Sequence, residues 1–150
     1  MAAVVLDIAD AVVTALNAAS LSQSFTAERA YVPIHELQDL ADLKVSVVAA
    51  SLSGTMLDRA LLYLFDYVID IGIQKTIGLG GMTDAEINTA ADPLTILVQE
   101  ILDLFRGTPL TAYPQARCVA VENRPIYVPL HIDEKRVFTS VVSLTFRLGR

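Results

Sequence analysis

From Leu64 to Lys75 the chain alternates without a slip. Phe65, Tyr67, Ile69, Ile71 and Ile73 occupy every second position, with Asp66, Val68, Asp70, Gly72 and Gln74 between them. Strand side chains point to opposite faces with a period of two. Five apolar residues in strict alternation therefore specify a long strand with one face packed on a core. Gly78-Leu79-Gly80-Gly81 then breaks the chain.

Other segments supply the partners that such a strand needs. Val5, Ile8, Val12, Val13 and Leu16 recur at offsets of three and four, which gives a helix one apolar face. Asp7 and Asp10 lie near its start, where the helix dipole favours negative charge. A short strand follows over residues 27–32, closed by Pro33. Leu37, Leu40 and Leu43 recur every third residue, as in a short 3₁₀ or single helical turn. The β-branched run Lys44-Val45-Ser46-Val47-Val48 reads as a buried strand. A second helix is expected to open with Asp92 as N-cap and Pro93 at its first position, with Thr83-Asp84-Ala85-Glu86 as a short extra turn ahead of it. Leu94, Leu97, Val98, Ile101, Leu104 and Phe105 form its apolar stripe, and Gly107 and Pro109 end it. Cys118-Val119-Ala120-Val121, Ile126-Tyr127-Val128 and residues 137–148 read as further strands. In the last of these, Phe138, Val142, Leu144, Phe146 and Leu148 share a face. The expected fold is a single α+β domain over residues 1–150, two main helices on a mainly antiparallel sheet.

Composition narrows the function. The 150 residues are 53% hydrophobic and 19% charged, with a net charge of −6, and the mean hydropathy is +0.50. Such a chain has ample material for a core, which excludes disorder. A membrane helix needs about 18–20 consecutive apolar residues, yet Asp66 ends the run over residues 60–65 and none is longer. The apolar N-terminus lacks a basic region and carries Asp7 and Asp10, so it reads as part of the mature fold and not as a signal peptide. The acidic balance argues against a phosphate-binding surface. One cysteine allows no internal disulfide and fits synthesis in a reducing cytosol.

No catalytic constellation emerges. His35 and His131 each follow a proline-containing loop or strand edge, and neither has a partner at metal-ligand spacing. Cys118 has apolar neighbours and reads as a buried small hydrophobe. The glycine run 78–81 lacks the Lys-Ser/Thr of a phosphate loop. Asp66 and Asp70 lie about 13 Å apart along a strand, too wide for a glycosidase pair, and read as a solvated or interface face. Lys135-Arg136 and Arg147 with Arg150 are too few for a nucleic-acid groove. The reading is of a non-enzyme without cofactor or metal.

Several phrases resemble the tail terminator proteins of tailed bacteriophages: Leu16-Asn17-Ala18, Phe25-Thr26-Ala27-Glu28-Arg29-Ala30-Tyr31-Val32-Pro33, the passage from Leu37 through Val47, Leu97-Val98-Gln99-Glu100-Ile101 and the closing Phe138-Thr139-Ser140-Val141-Val142-Ser143-Leu144-Thr145-Phe146. The most telling is Asp66-Tyr67-Val68-Ile69-Asp70-Ile71-Gly72-Ile73-Gln74-Lys75. The resemblance runs over nearly the whole chain as a match of layout and short phrases. It implies a homo-oligomeric ring, usually hexameric, in the virion tail and neck, assembled in the host cytoplasm. Such a ring caps the tail tube protein, stops its polymerisation and docks the head-side neck or connector protein, and genomic DNA passes through the lumen without specific binding. No membrane is involved.

Similar proteins carry a polar hairpin loop over residues 51–64, whereas this chain has Met56, Leu57, Leu61, Leu62, Tyr63 and Leu64 there, followed by Asp66 and Asp70. These eight residues are the interface candidates, and the competing reading of the segment is a buried strand extension or amphipathic turn. Another neck component, such as a head-completion or stopper protein, is the alternative within the same class. A small cytosolic enzyme or ligand-binding domain using Cys118 or His131 is the alternative from another class.

Overall fold

The computed structural model describes residues 3–31, 42–57, 63–77, 83–106, 109–123 and 137–149. In chain order these form α1 (Val4–Ala18), β1 (Ala27–Arg29), β2 (Lys44–Met56), β3 (Tyr63–Thr76), α2 (Asp84–Arg106), β4 (Arg117–Asn123) and β5 (Val137–Gly149). The strands make one sheet in the order β1-β2-β3-β5-β4. β1 runs parallel to β2 and the remaining neighbours are antiparallel. The fold is α+β, with two helices and a mixed, mainly antiparallel sheet. The expectations at Leu37 and Leu40, Gly78-Leu79-Gly80-Gly81, Gly107 and Ile126-Tyr127-Val128, like both histidines, lie outside the described residues.

The alternation in β3 places it at the centre. Ile71 faces Val47 of β2 on one side and Val142 of β5 on the other. Ile69, Ile71 and Ile73 are fully buried in one cluster with Ile8, Val12 and Leu16 of α1 and Leu97, Ile101 and Phe105 of α2. Both helices therefore cover the same face of the sheet. Each fully buried side chain of this size contributes about 1.5–3 kcal/mol, so the face specified by alternation is also where the stability concentrates.

The opposite face is less solvated than a simple alternation implies. At one end of the sheet Ser46, Gln74 and Thr139 are buried, and Gln74 Nε2 donates to Thr139 Oγ1 at 3.2 Å. Leaving such amides buried and unbonded would cost about 1–3 kcal/mol each. β1 is only three residues long, and it is pinned by its neighbours. Ala30 N–H donates to the Val47 carbonyl at 2.8 Å, and Arg29 Nε reaches Asp10 Oδ1 of α1 at 2.9 Å.

The second helix corrects the sequence expectation. It does not open at Asp92 but at Asp84, and Pro93 sits in its interior. Thr83 Oγ1 accepts the Glu86 N–H at 3.3 Å, and the Ile87 N–H closes the first turn on the Thr83 carbonyl at 3.0 Å. Thr83-x-x-Glu86 is the spacing of a capping box, so the supposed extra turn is the true start. The first two turns are mostly exposed, which explains why no apolar stripe marks them. From Leu94 onward the expected stripe is buried at Leu94, Leu97, Val98, Ile101 and Phe105.

Candidate functional site

The three long strands outrun the helices. β3 has 14 residues, about 46 Å at ~3.3 Å per residue, whereas strands usually span about 17–20 Å. α1, with 15 residues, is about 22 Å long. The last buried positions toward the Met56–Tyr63 end of the sheet are Val48, Tyr67 and Phe146. Beyond them β2 is exposed at every residue from Ala50 to Met56. The segment 51–64 is thus no loop over its described parts: residues 51–56 continue β2 and Tyr63 and Leu64 open β3. It is a strand extension, but an exposed one, because no helix reaches over it.

A bulge decides which side chains this extension presents. Register shifts between Ala49 and Ser51, leaving Ala50 without a direct partner. Before it Val45, Val47 and Ala49 lie on the helix-covered face opposite Ile73, Ile71 and Ile69. After it Leu52, Gly54 and Met56 take that face, opposite Tyr67, Phe65 and Tyr63. A one-residue slip exchanges the two faces of a strand, so without the bulge Ser51, Ser53 and Thr55 would point there instead.

The result is an apolar shelf beyond the core. Leu52 is 54%, Met56 49% and Tyr63 37% exposed. Tyr63, Phe65 and Tyr67 stack along β3 with ring centroids 5.8 and 6.1 Å apart. Phe65 lies over the backbone of Gly54: a Cβ there would stand 2.7 Å from Phe65 Cε1. An aromatic ring that covers a cross-strand glycine replaces the packing the glycine lacks.

The interface candidates consequently divide. Met56 and Tyr63 are direct partners on the shelf, and Leu57, 54% exposed, follows β2. Leu64, Asp66 and Asp70 are on the other face, and Leu61 and Leu62 lie outside the described residues. Asp66 is held by Arg147 in a bidentate pair, Nε to Oδ1 at 2.8 Å and the second guanidinium nitrogen to Oδ2 at 3.2 Å. That hydrogen bonding keeps the Asp66 carboxyl below its ordinary pKa. Asp70 Oδ1 accepts from Ser143 Oγ at 2.6 Å. The two carboxylates have separate partners and no shared task. Leu52, Phe65 and Arg147 belong to this region and were absent from the sequence candidates. Alternation in Ser51-Leu52-Ser53-Gly54-Thr55-Met56 was the available signal for the first.

Cys118 is only half-buried, not enclosed as expected. β4 is an edge strand, so one side of the thiol faces the core cluster and the other is open. Its Sγ lies 3.6 Å from the Ala120 carbonyl, and burial pushes the thiol pKa upward, away from the range of a nucleophile. Among the described residues open clefts of about 690 Å³ beside β1 and Asp42 and about 300 Å³ beside Lys75 and Pro93 are present, and Cys118 lines neither of these. Among the described residues no three His, Cys, Asp or Glu side chains gather as metal ligands, and no helix is long and apolar enough to cross a membrane.

No protein-family model matches the chain, and no curated protein does. Among solved structures it is similar to the sheath/tube terminator, in the extended state, of the extracellular contractile injection system PVC. The two are 15% identical, with a TM-score of 0.39, and the match covers 100% of this chain and 57% of that one. This chain thus spans little more than half the length of that terminator.

Proposed function

We propose that this chain is a ring subunit, hexameric as in the family its sequence resembles, that caps a tail tube, halts its growth and joins it to a head-side neck protein. The observation that carries the reading is the apolar shelf of Leu52, Met56 and Tyr63, held on a hydrogen-bonded sheet beyond the reach of both helices. Large apolar side chains fixed in water contribute nothing to a lone domain, whereas contiguous exposed ones are the material of an interface. A cyclic ring needs heterologous contacts, a donor patch and an acceptor patch on each subunit. Met56, Leu57, Leu61, Leu62 and Tyr63 supply one such patch in this reading, with Leu64, Asp66 and Asp70 on the opposite face. Six copies at −6 each carry about −36, and an acidic lumen repels DNA and lets it slide.

Native mass spectrometry tests the reading, on the chain alone and on the chain mixed with tail tubes. A closed ring in either sample supports it, and a strict monomer that also leaves tube ends bare overturns it. Leu61→Asp with Leu62→Asp is expected to abolish the ring and preserve cooperative thermal unfolding. Loss of that transition would instead assign these two leucines to the core.

A further inference from the structure

We infer that neighbouring copies of this chain join through their backbones, the outer edge of β2 in one copy pairing antiparallel with the outer edge of β4 in the next. The inference rests on the ring reading and names the surfaces that would close the ring.

Among the described residues the outer edge of β2 is open from Val48 onward, and that of β4 along its length. β1 covers β2 only at Val45, Ser46 and Val47. Among the described residues no strand pairs with the outer edge of residues 51–56, whose side chains are all exposed. β4 is the opposite edge of the sheet and, among the described residues, is bonded only to β5. Soluble proteins guard such edges with lysine, proline or short length. Residues 45–57 contain no charged residue and no proline. An unguarded edge of this kind is a template for another strand.

Direction and height agree as well. β2 and β5 point one way, β3 and β4 the other. A rotation about an axis along the strands preserves those directions, so β4 meets the next β2 antiparallel. The register rows also align across the sheet. Cys118 faces Phe146, Phe146 faces Tyr67, and Tyr67 faces Leu52. A copy carried round without axial shift sets its Leu52 beside Cys118, both on the helix-covered face. The exposed leucine thereby covers the open side of the half-buried thiol. One row further Arg117 meets Ser53, in the other direction Glu122 meets Val48, and the pairing stops there because β1 already holds Val47; no like charges are opposed. For a chain of net charge −6, an uncharged edge is where a second copy approaches at least electrostatic cost.

The test uses Leu52→Cys in the otherwise intact chain, whose single native cysteine is Cys118. Facing residues of an antiparallel pair have Cα atoms about 4.5–5.5 Å apart, within the span of a disulfide. Mild oxidation is expected to give a covalent ladder rising to the closed ring, with the peptides of positions 52 and 118 joined. Adding Cys118→Ser should abolish the ladder. A ring that yields no 52–118 link overturns the edge pairing and leaves the ring reading standing; a 52–52 link overturns it in favour of like edges meeting. A chain that forms no ring even with tubes overturns both. A second variant needs no cysteine chemistry: Ser53→Lys opposes Arg117 and should dissolve the ring, and Arg117→Glu in the same chain should restore it. Failure of that rescue counts against the pairing.

Discussion

Asn17 does for β1 what a strand neighbour would do. Its Oδ1 accepts the Ala27 N–H at 2.7 Å and its Nδ2 donates to the Ala27 carbonyl at 3.2 Å. Ala27 is buried, so both backbone groups would otherwise lack partners. Asn17→Ala is expected to destabilise the fold by about 2 kcal/mol, combining two lost hydrogen bonds with a desolvated amide; urea unfolding at constant m would show it. The Asp66–Arg147 pair makes a pH prediction. Arg147 holds the Asp66 pKa below its unfolded value, so the stabilisation is complete above the ordinary carboxylate range and is lost as pH falls through the folded value. Thermal unfolding of wild type and Arg147→Met should differ at pH 7 and converge as the pH drops below about 4. Because the pair is exposed the difference is small, and its disappearance in acid is the informative part.

At the scale of elements, two irregularities do the shaping. The Ala50 bulge turns Leu52 and Met56 onto the shelf, as the register shows. Pro93 interrupts α2, where it cannot donate to the carbonyl of Thr89, and yet the helix continues to Arg106. Burial of Leu94, Leu97, Val98, Ile101 and Phe105 outweighs one missing bond, since each large side chain contributes about 1.5–3 kcal/mol. Pro93→Ala restores the donor at an exposed position and is expected to stabilise the protein by roughly 1–3 kcal/mol. Thr83→Ala removes the N-cap and should cost about 1 kcal/mol. Calorimetry on both variants checks these opposite signs. A decrease in stability for Pro93→Ala would show that the helix is fitted to the proline.

For the whole molecule the decisive relation is between an acidic body and a neutral edge. Assembly of copies that each carry −6 opposes like charges, while the proposed contact is apolar and backbone-bonded. Added salt screens the first and leaves the second intact. Raising ionic strength from about 0.02 to 0.2 M shortens the Debye length from roughly 20 to 7 Å and should lower the protein concentration at which rings form. Mass photometry along a salt series measures this. Weaker assembly at higher salt would point to an interface built on ion pairs.

Local periodicity was enough to recognise β3, the buried half of α2, α1 and the closing strand, because alternation and helical stripes are imposed residue by residue through burial. It also carried the α+β class, since two such helices need one sheet face to cover. Exposed stretches have no such imprint. The first turns of α2 and the outer half of β2 escaped the expected boundaries for that reason, although Thr83-x-x-Glu86 and Leu52-x-Gly54-x-Met56 held the signal. Only the tertiary structure could join Asp66 to Arg147, which are 81 residues apart, or set Leu52 and Cys118 in one row across four strands. Those relations depend on strand order and register, which arise from the packing of distant segments and have no counterpart in local sequence.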